Sequence, residues 1–149
     1  MNTTTFKLSV FFTTLLFTVI VASCKKDHDN NNNCAITMAN VAGTYKLTAL
    51  KYKANANAPA QDYLTMLDAC ERDDLINLRA DGVYIYTDAG TSCTPNESDN
   101  GTWSMTSNII VSDGIVAGKV TSFDCHTLVV NSGDLYVDGD QLIFTMEKQ

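Results

Sequence analysis

The sequence predicts an all-β domain: about eight antiparallel strands in an up-and-down meander that closes into a barrel, with one short helical insertion. Three observations carry that expectation. Beyond Gly43 the apolar residues come in short runs that alternate with polar ones, the period of a strand with one buried face. Asp-Gly and Asn-Gly pairs punctuate the runs at Asp81-Gly82, Asn100-Gly101, Asp113-Gly114 and Asp138-Gly139, and such pairs favour tight hairpins because both residues tolerate positive φ. Only the window from Asp62 to Ala69 spaces its apolar residues, Tyr63, Leu64, Met66 and Leu67, as a helix does. A meander of this length closes most naturally into a barrel, since closure removes exposed edge strands. A two-sheet sandwich is the alternative that periodicity leaves open.

The N-terminal segment is of another kind. One basic residue, Lys7, precedes a run from Leu8 to Ala22 that is apolar apart from small hydroxyl residues. About 15 such residues suit the hydrophobic region of a cleavable export signal, whereas a permanent membrane helix takes roughly 20. Val21-Ala22-Ser23-Cys24 resembles the lipobox of bacterial lipoproteins. That resemblance implies cleavage after residue 23 and lipidation of the Cys24 thiol; each buried CH₂ of such an anchor contributes about 0.8 kcal/mol, so several chains hold firmly. Residues 24–36, with Lys25, Lys26, Asp27, His28, Asp29 and the asparagines 30 to 33, have little to bury and read as a disordered tether. The expected plan is therefore a signal at 1–23, a lipidated cysteine and tether at 24–36, and a barrel at 37–149. The expected location is the cell envelope, as an outer-membrane lipoprotein on the periplasmic face or the cell surface.

Within the barrel, Thr44 to Lys53 alternates Tyr45, Leu47 and Ala49 with Lys46 and Thr48 as the first strand, and Asn55 to Pro59 breaks it. The helical insertion follows, then a strand at Leu75 to Arg79, the Asp81-Gly82 turn and a strand at Val83 to Thr87. A polar loop from Asp88 to Asn100 precedes strands at Thr102 to Thr106 and Asn108 to Ser112. Val116 to Phe123 and His126 to Asn131 come next. Leu135 to Val137, a turn at Asp138-Gly139 and Gln141 to Met146, with Leu142, Phe144 and Met146 on one face, close the chain.

Charge and cysteines narrow the function. The chain carries 10 basic and 17 acidic residues, net −7, and removal of residues 1–23 takes away only Lys7, giving −8. With no basic stripe to offset that, nucleic-acid binding is excluded. Cys34, Cys70, Cys93 and Cys125 remain after Cys24, an even number that in an exported domain argues for two disulfides, with three connectivities open. No two lie at the short spacing of paired zinc ligands.

Gly43-Thr44-Tyr45-Lys46-Leu47, Cys70 followed by Asp73-Asp74 and Leu75 to Arg79, Asp81-Gly82, Cys93, Gly101-Thr102-Trp103-Ser104 and Thr127-Leu128-Val129 occur in an order that resembles the lipocalin-like domains of Bacteroidetes lipoproteins. The similarity spans about residues 41 to 147, with Tyr45 where lipocalins usually carry Trp. It implies a small calyx-like barrel held by a Cys70–Cys93 bridge, and the pairing favoured with it joins Cys34 to Cys125. It implies no reaction.

An eight-stranded barrel is just wide enough to be filled by its own side chains or to hold one small ligand. Tyr45, Leu47, Tyr84, Tyr86, Trp103 and Phe144 are the candidate ligand-binding residues, with Phe123 and Met146 as further interior positions; the competing expectation is that they are simply core. Tyrosine hydroxyls or the Trp103 N–H would give a small hydrophobic ligand its few oriented polar contacts. Catalysis is not expected. The domain's one histidine, His126, follows Cys125, and Asp73 and Asp74, as neighbours on a strand, would face opposite ways. Asp138 and Asp140 read as turn residues rather than calcium ligands, so neither a metal nor a cofactor is expected. A second functional class is an envelope interaction module that binds a protein or glycan through loops such as Asp88 to Asn100.

Overall fold

The computed structural model describes residues 34–149; the signal-like segment, Cys24 and the tether as far as Asn33 lie outside the described residues. In chain order the elements are a short helix α1 (Met38–Val41), β1 (Gly43–Lys53), β2 (Gln61–Asp62), a 3₁₀ turn (Leu64–Met66), β3 (Leu75–Leu78), β4 (Val83–Thr87), β5 (Asp99–Thr106), β6 (Ile109–Ser112), β7 (Ile115–Phe123), β8 (Thr127–Gly133) and β9 (Gln141–Lys148).

Eight of these strands form a closed antiparallel barrel. From β3 to β9 each strand pairs with the next in sequence, β1 pairs with β3, and β9 returns to β1 from Tyr45↔Lys148 to Lys53↔Gln141, with a bulge between Leu47 and Ala49. Closure excludes the sandwich. The ninth strand, β2, is an extra one lying on β1 at Lys51↔Asp62, past the point where β3 ends at Lys46↔Leu75. Short turns explain the up-and-down order. Gly82 sits at φ 88° in the β3–β4 turn, and Ser107 and Asn108 both take left-handed φ between β5 and β6.

One end of the barrel is shut. Thr37 caps α1 by accepting from the Asn40 N–H at 3.2 Å, and Val41 is fully buried in a core with Tyr45, Leu78, Trp103, Ile110, Val120, Leu128 and Val130. The Tyr45 hydroxyl donates to the Val41 carbonyl at 2.6 Å, which ties the helix to the first strand. Lys148 donates to the Asn40 carbonyl at 3.0 Å and lies over the rings of Tyr45 and Phe123 at 5.5 and 5.7 Å. The long connections 54–74, 88–98 and 134–140 gather at the other end, the mouth.

Cys34 bonds to Cys125 and Cys70 to Cys93, with Cα separations of 5.3 and 5.2 Å. One bridge staples each end. The described residues thus carry a closed sheet, their own core and both bridges, the attributes of a unit that folds by itself. Cys34 and Ile36, assigned from sequence to the tether, are held here, the first by its bridge and the second against the core.

Three local expectations are corrected. The helix over Asp62–Ala69 is only the three-residue 3₁₀ turn. Asp62 is drawn into β2, its carboxylate accepts from the Leu64 N–H at 2.9 Å, and Tyr63 stacks on Tyr52 at 5.0 Å. Leu135–Val137 is not a strand: buried Asp140 collects the N–H groups of Leu135, Tyr136 and Val137 at 2.8 to 3.2 Å and bends the segment into a loop whose three side chains are exposed. Asn100-Gly101 is not a turn but part of β5. A side chain at Gly101 would collide with the Tyr84 ring and the Asp113 carboxylate, so the glycine serves close packing.

Candidate functional site

Strand alternation turns Tyr45, Leu47, Ile76, Leu78, Tyr84, Tyr86, Trp103, Ile110, Val130, Phe144 and Met146 toward the barrel axis, and they do not fill it. Two adjoining chambers remain. The first, about 210 Å³, is almost wholly apolar and is lined by Ile76, Leu78, Tyr84, Trp103, Ile110, Ser112, Ala117, Val130, Phe144 and Met146. The second, about 260 Å³, is lined by Tyr45, Leu47, Leu67, Glu71, Asp74, Ile76, Tyr86, Phe144 and Met146. Ile76, Phe144 and Met146 belong to both and form the partition between them. Together the chambers reach the size range of small-molecule sites, apolar with a few convergent polar groups.

All six residues singled out from sequence line this space. Tyr84, Trp103 and Phe144 face the apolar chamber; Tyr45, Leu47, Tyr86 and again Phe144 face the acid-lined one. Phe123 instead packs against the core beneath Lys148. The polar handles expected to meet a ligand are engaged within the protein. The Trp103 N–H donates to the Arg79 carbonyl at 2.8 Å, the Tyr45 hydroxyl to Val41, the Tyr84 hydroxyl to Asp113 at 2.9 Å and the Tyr86 hydroxyl to Asp74 at 2.6 Å. Burial pushes the Tyr45 hydroxyl up to about 12. Tyr86 is also raised, by burial first and then by its bond to the Asp74 carboxylate. Both therefore stay protonated at neutral pH.

The polar groups of the second chamber are carboxylates that sequence analysis did not assign to it. Asp74, 5% exposed, accepts from Tyr86 and from the Ala89 N–H at 2.9 Å. Asp73 accepts from the Thr91 N–H at 2.9 Å through one oxygen. The Asp73-Asp74 pair thus anchors the 88–98 connection rather than flanking a substrate. Buried Asp88 holds the same loop from within, accepting from the Cys93 and Glu97 N–H groups and the Asn96 side chain. Glu71 stands on the segment between the 3₁₀ turn and β3, its Oε2 accepting from the Asp68 N–H at 2.6 Å.

His126 lies in the β7–β8 turn, its N–H bonded to the Asp124 carboxylate and its carbonyl to the Lys148 N–H, and it lines neither chamber. At the rim, Tyr52 stacks on Tyr63 and meets Tyr136 edge-on at 5.9 Å. Ile115 and Val116, at the start of β7, and Leu135, Tyr136 and Val137, on the β8–β9 connection, are exposed. Exposed Met66 and Leu135 to Val137 escape the strand period because they sit in a 3₁₀ turn and a loop, whereas Ile115 and Val116 open β7 beyond its register with β8, which begins at Lys119↔Asn131.

A protein-family model described as a lipocalin-like domain matches residues 41–116, from the end of α1 into β7. No curated protein and no solved structure matches the chain.

Proposed function

The chain belongs to the lipocalin-like domain family, and from that premise we propose that it is a lipid-anchored, non-catalytic carrier or receptor of a small hydrophobic molecule. Domains of this family are generally binding proteins for small ligands rather than enzymes. The observation that carries the reading is the pair of adjoining chambers inside the closed sheet, walled by Trp103, Ile110, Val130, Phe144 and Met146. Burial of an apolar ligand there returns about 25 cal/mol for each Å² taken from water, in a site already formed.

The anchor belongs to the same proposal. A signal at residues 1–23 and a lipidated Cys24 would hold the barrel in the cell envelope, at the outer membrane. Replacing Cys24 by alanine should stop lipidation and accumulate the unlipidated precursor; a protein that stays in membrane fractions with no such precursor would refute the anchor and leave the carrier role standing.

Native mass spectrometry of residues 34–149, made in an oxidising compartment, tests the carrier role, with extraction of any small molecule that co-purifies. A stoichiometric apolar adduct lost on denaturation is the expected result. A bare mass, with no uptake of a fluorescent hydrophobic probe, would refute it.

One observation favours a second reading, an envelope module that binds a protein partner. Ile115 and Val116, which open β7, and Leu135, Tyr136 and Val137, which follow the adjacent strand β8, are 46 to 74% exposed, and exposed apolar side chains in such number mark interaction surfaces. Charged substitutions at Val116 and Tyr136 should then abolish partner capture without changing probe uptake.

A further inference from the structure

The apolar chamber does not discriminate between ligands that share a hydrocarbon body, so selectivity has to come from the polar groups of the second chamber. Those groups have one sign. Glu71 and Asp74 line it, and among the described residues no Lys, Arg or His lines either chamber. The nearest cation in sequence, Arg72, is exposed and turns its guanidinium Nε to the Asp68 carbonyl. Lys53, at the end of β1, is spent on the Ala56 carbonyl.

The carboxylates are also fixed in place. Glu71 is pinned through Oε2 by the Asp68 N–H, which leaves Oε1 for a ligand. Asp74 is held by Tyr86 and Ala89. They also face the chamber wall: Tyr86 is kept protonated by burial first, then by its bond to Asp74 and by the charges of Asp74, Glu71 and Glu97. Asp88 and Asp140, on two further connections of the mouth, are buried and bonded within their own loops and line neither chamber, so the charge that faces the ligand is that of Glu71 and Asp74. Clefts lined by one sign of charge with low-dielectric walls concentrate ligands of the opposite sign.

We propose that the ligand of this barrel is a cationic amphiphile, with its hydrocarbon body against Trp103, Ile110 and Val130 and its ammonium group at Glu71 and Asp74. The inference rests on the carrier reading above and names the ligand class within it. A fatty acid of the same length would bring its carboxylate against two fixed carboxylates. A fatty alcohol would neither gain nor lose by the charge. The order of affinity is therefore amine, alcohol, acid.

Isothermal titration of residues 34–149 with dodecylamine, dodecanol and dodecanoate at pH 7, the two ionic ligands below their micelle concentrations and dodecanol below its solubility, tests this. Dodecylamine should bind at least tenfold more tightly than dodecanoate, with dodecanol between them, and its advantage over dodecanol should shrink as salt rises. In Glu71→Gln, which keeps an acceptor for the Asp68 N–H, most of that advantage should vanish while dodecanol affinity holds. Equal binding of amine and acid, or an amine preference untouched by both salt and Glu71→Gln, would overturn the proposal and leave the carrier intact. Binding of none of the three would overturn the carrier reading itself.

Discussion

Replacing Ile76 by phenylalanine distinguishes a hollow barrel from a filled one by the sign of its effect. Ile76 sits in β3 opposite Tyr45 and Tyr86 and borders both chambers. In a close-packed core, added side-chain volume forces neighbours off their rotamers and costs about 1–3 kcal/mol. Here the added ring atoms can enter chambers of about 210 and 260 Å³ and bury apolar surface that each methylene equivalent values at about 0.8 kcal/mol. The expected change is thus from nil to about 1 kcal/mol of stabilisation. A domain of this size shifts by about 4 °C per kcal/mol, so Tm should hold or rise by up to about 4 °C, where a filled core would lose about 4–12 °C. Calorimetry of the pure domain gives Tm, and titration with a hydrophobic fluorophore gives affinity, which should drop at least tenfold as the partition swells. A fall in Tm with affinity unchanged would refute the reasoning, because the residue would then be packed core away from any ligand.

Three further outcomes follow from the geometry. Tyr45→Phe leaves the buried Val41 carbonyl without its 2.6 Å donor and should lower stability by about 1–3 kcal/mol, seen as a lower urea midpoint with unchanged slope. Cys70→Ser with Cys93→Ser opens a loop of 23 residues and should remove about 3 kcal/mol, with faster amide exchange at the mouth while the Cys34–Cys125 end keeps its protection. Stability should also fall in acid. Asp113 and Asp124 lie below the ordinary 3.8 because backbone N–H groups bond their carboxylates. Asp140 does too, since burial raises it but the Leu135, Tyr136 and Val137 N–H groups outweigh that. The unfolded chain then takes up protons first as pH drops, so their contribution is whole above about pH 4 and lost as pH falls through the depressed folded-state values. Urea midpoints at pH 7, 4, 3 and 2 should show that decline, and Asp140→Asn should flatten it.

Strands were legible wherever one face is buried, because alternation survives any change of partner. Tyr45, Leu47, Tyr84, Tyr86, Trp103 and Phe144 are legible that way, and the same period in Leu75–Leu78 carries the signal for Ile76 and Leu78, which line the chambers without having been among the candidate residues. Closure is expected only from the number of strands and the cost of open edges, because the pairing of β9 with β1, as at Ala49↔Thr145, joins residues far apart in sequence and leaves no local trace. Asp62–Ala69 misled for the converse reason: its helical spacing is real, but β2 pairing and the Tyr63–Tyr52 stack outweigh a propensity worth only tenths of a kcal/mol per residue. Glu71 and Asp74 could not be assigned to the chamber, because their segment is irregular and its place depends on the Cys70–Cys93 bridge. Asp140 read as a turn residue, and nothing in the sequence marks it as the acceptor that shapes a whole loop.

Trp103 offers the most direct test of the hollow, ligand-binding barrel, since it is the chain's one tryptophan, is 3% exposed and lines the apolar chamber. A brominated alkyl alcohol quenches indole fluorescence only on contact. Saturable quenching that reaches completion at one equivalent, and disappears when the bromoalcohol is displaced by its unbrominated analogue, is the expected result. Emission that stays constant, or falls linearly without saturation, would mean that the probe never reaches the chamber and would contradict a binding role for the barrel interior.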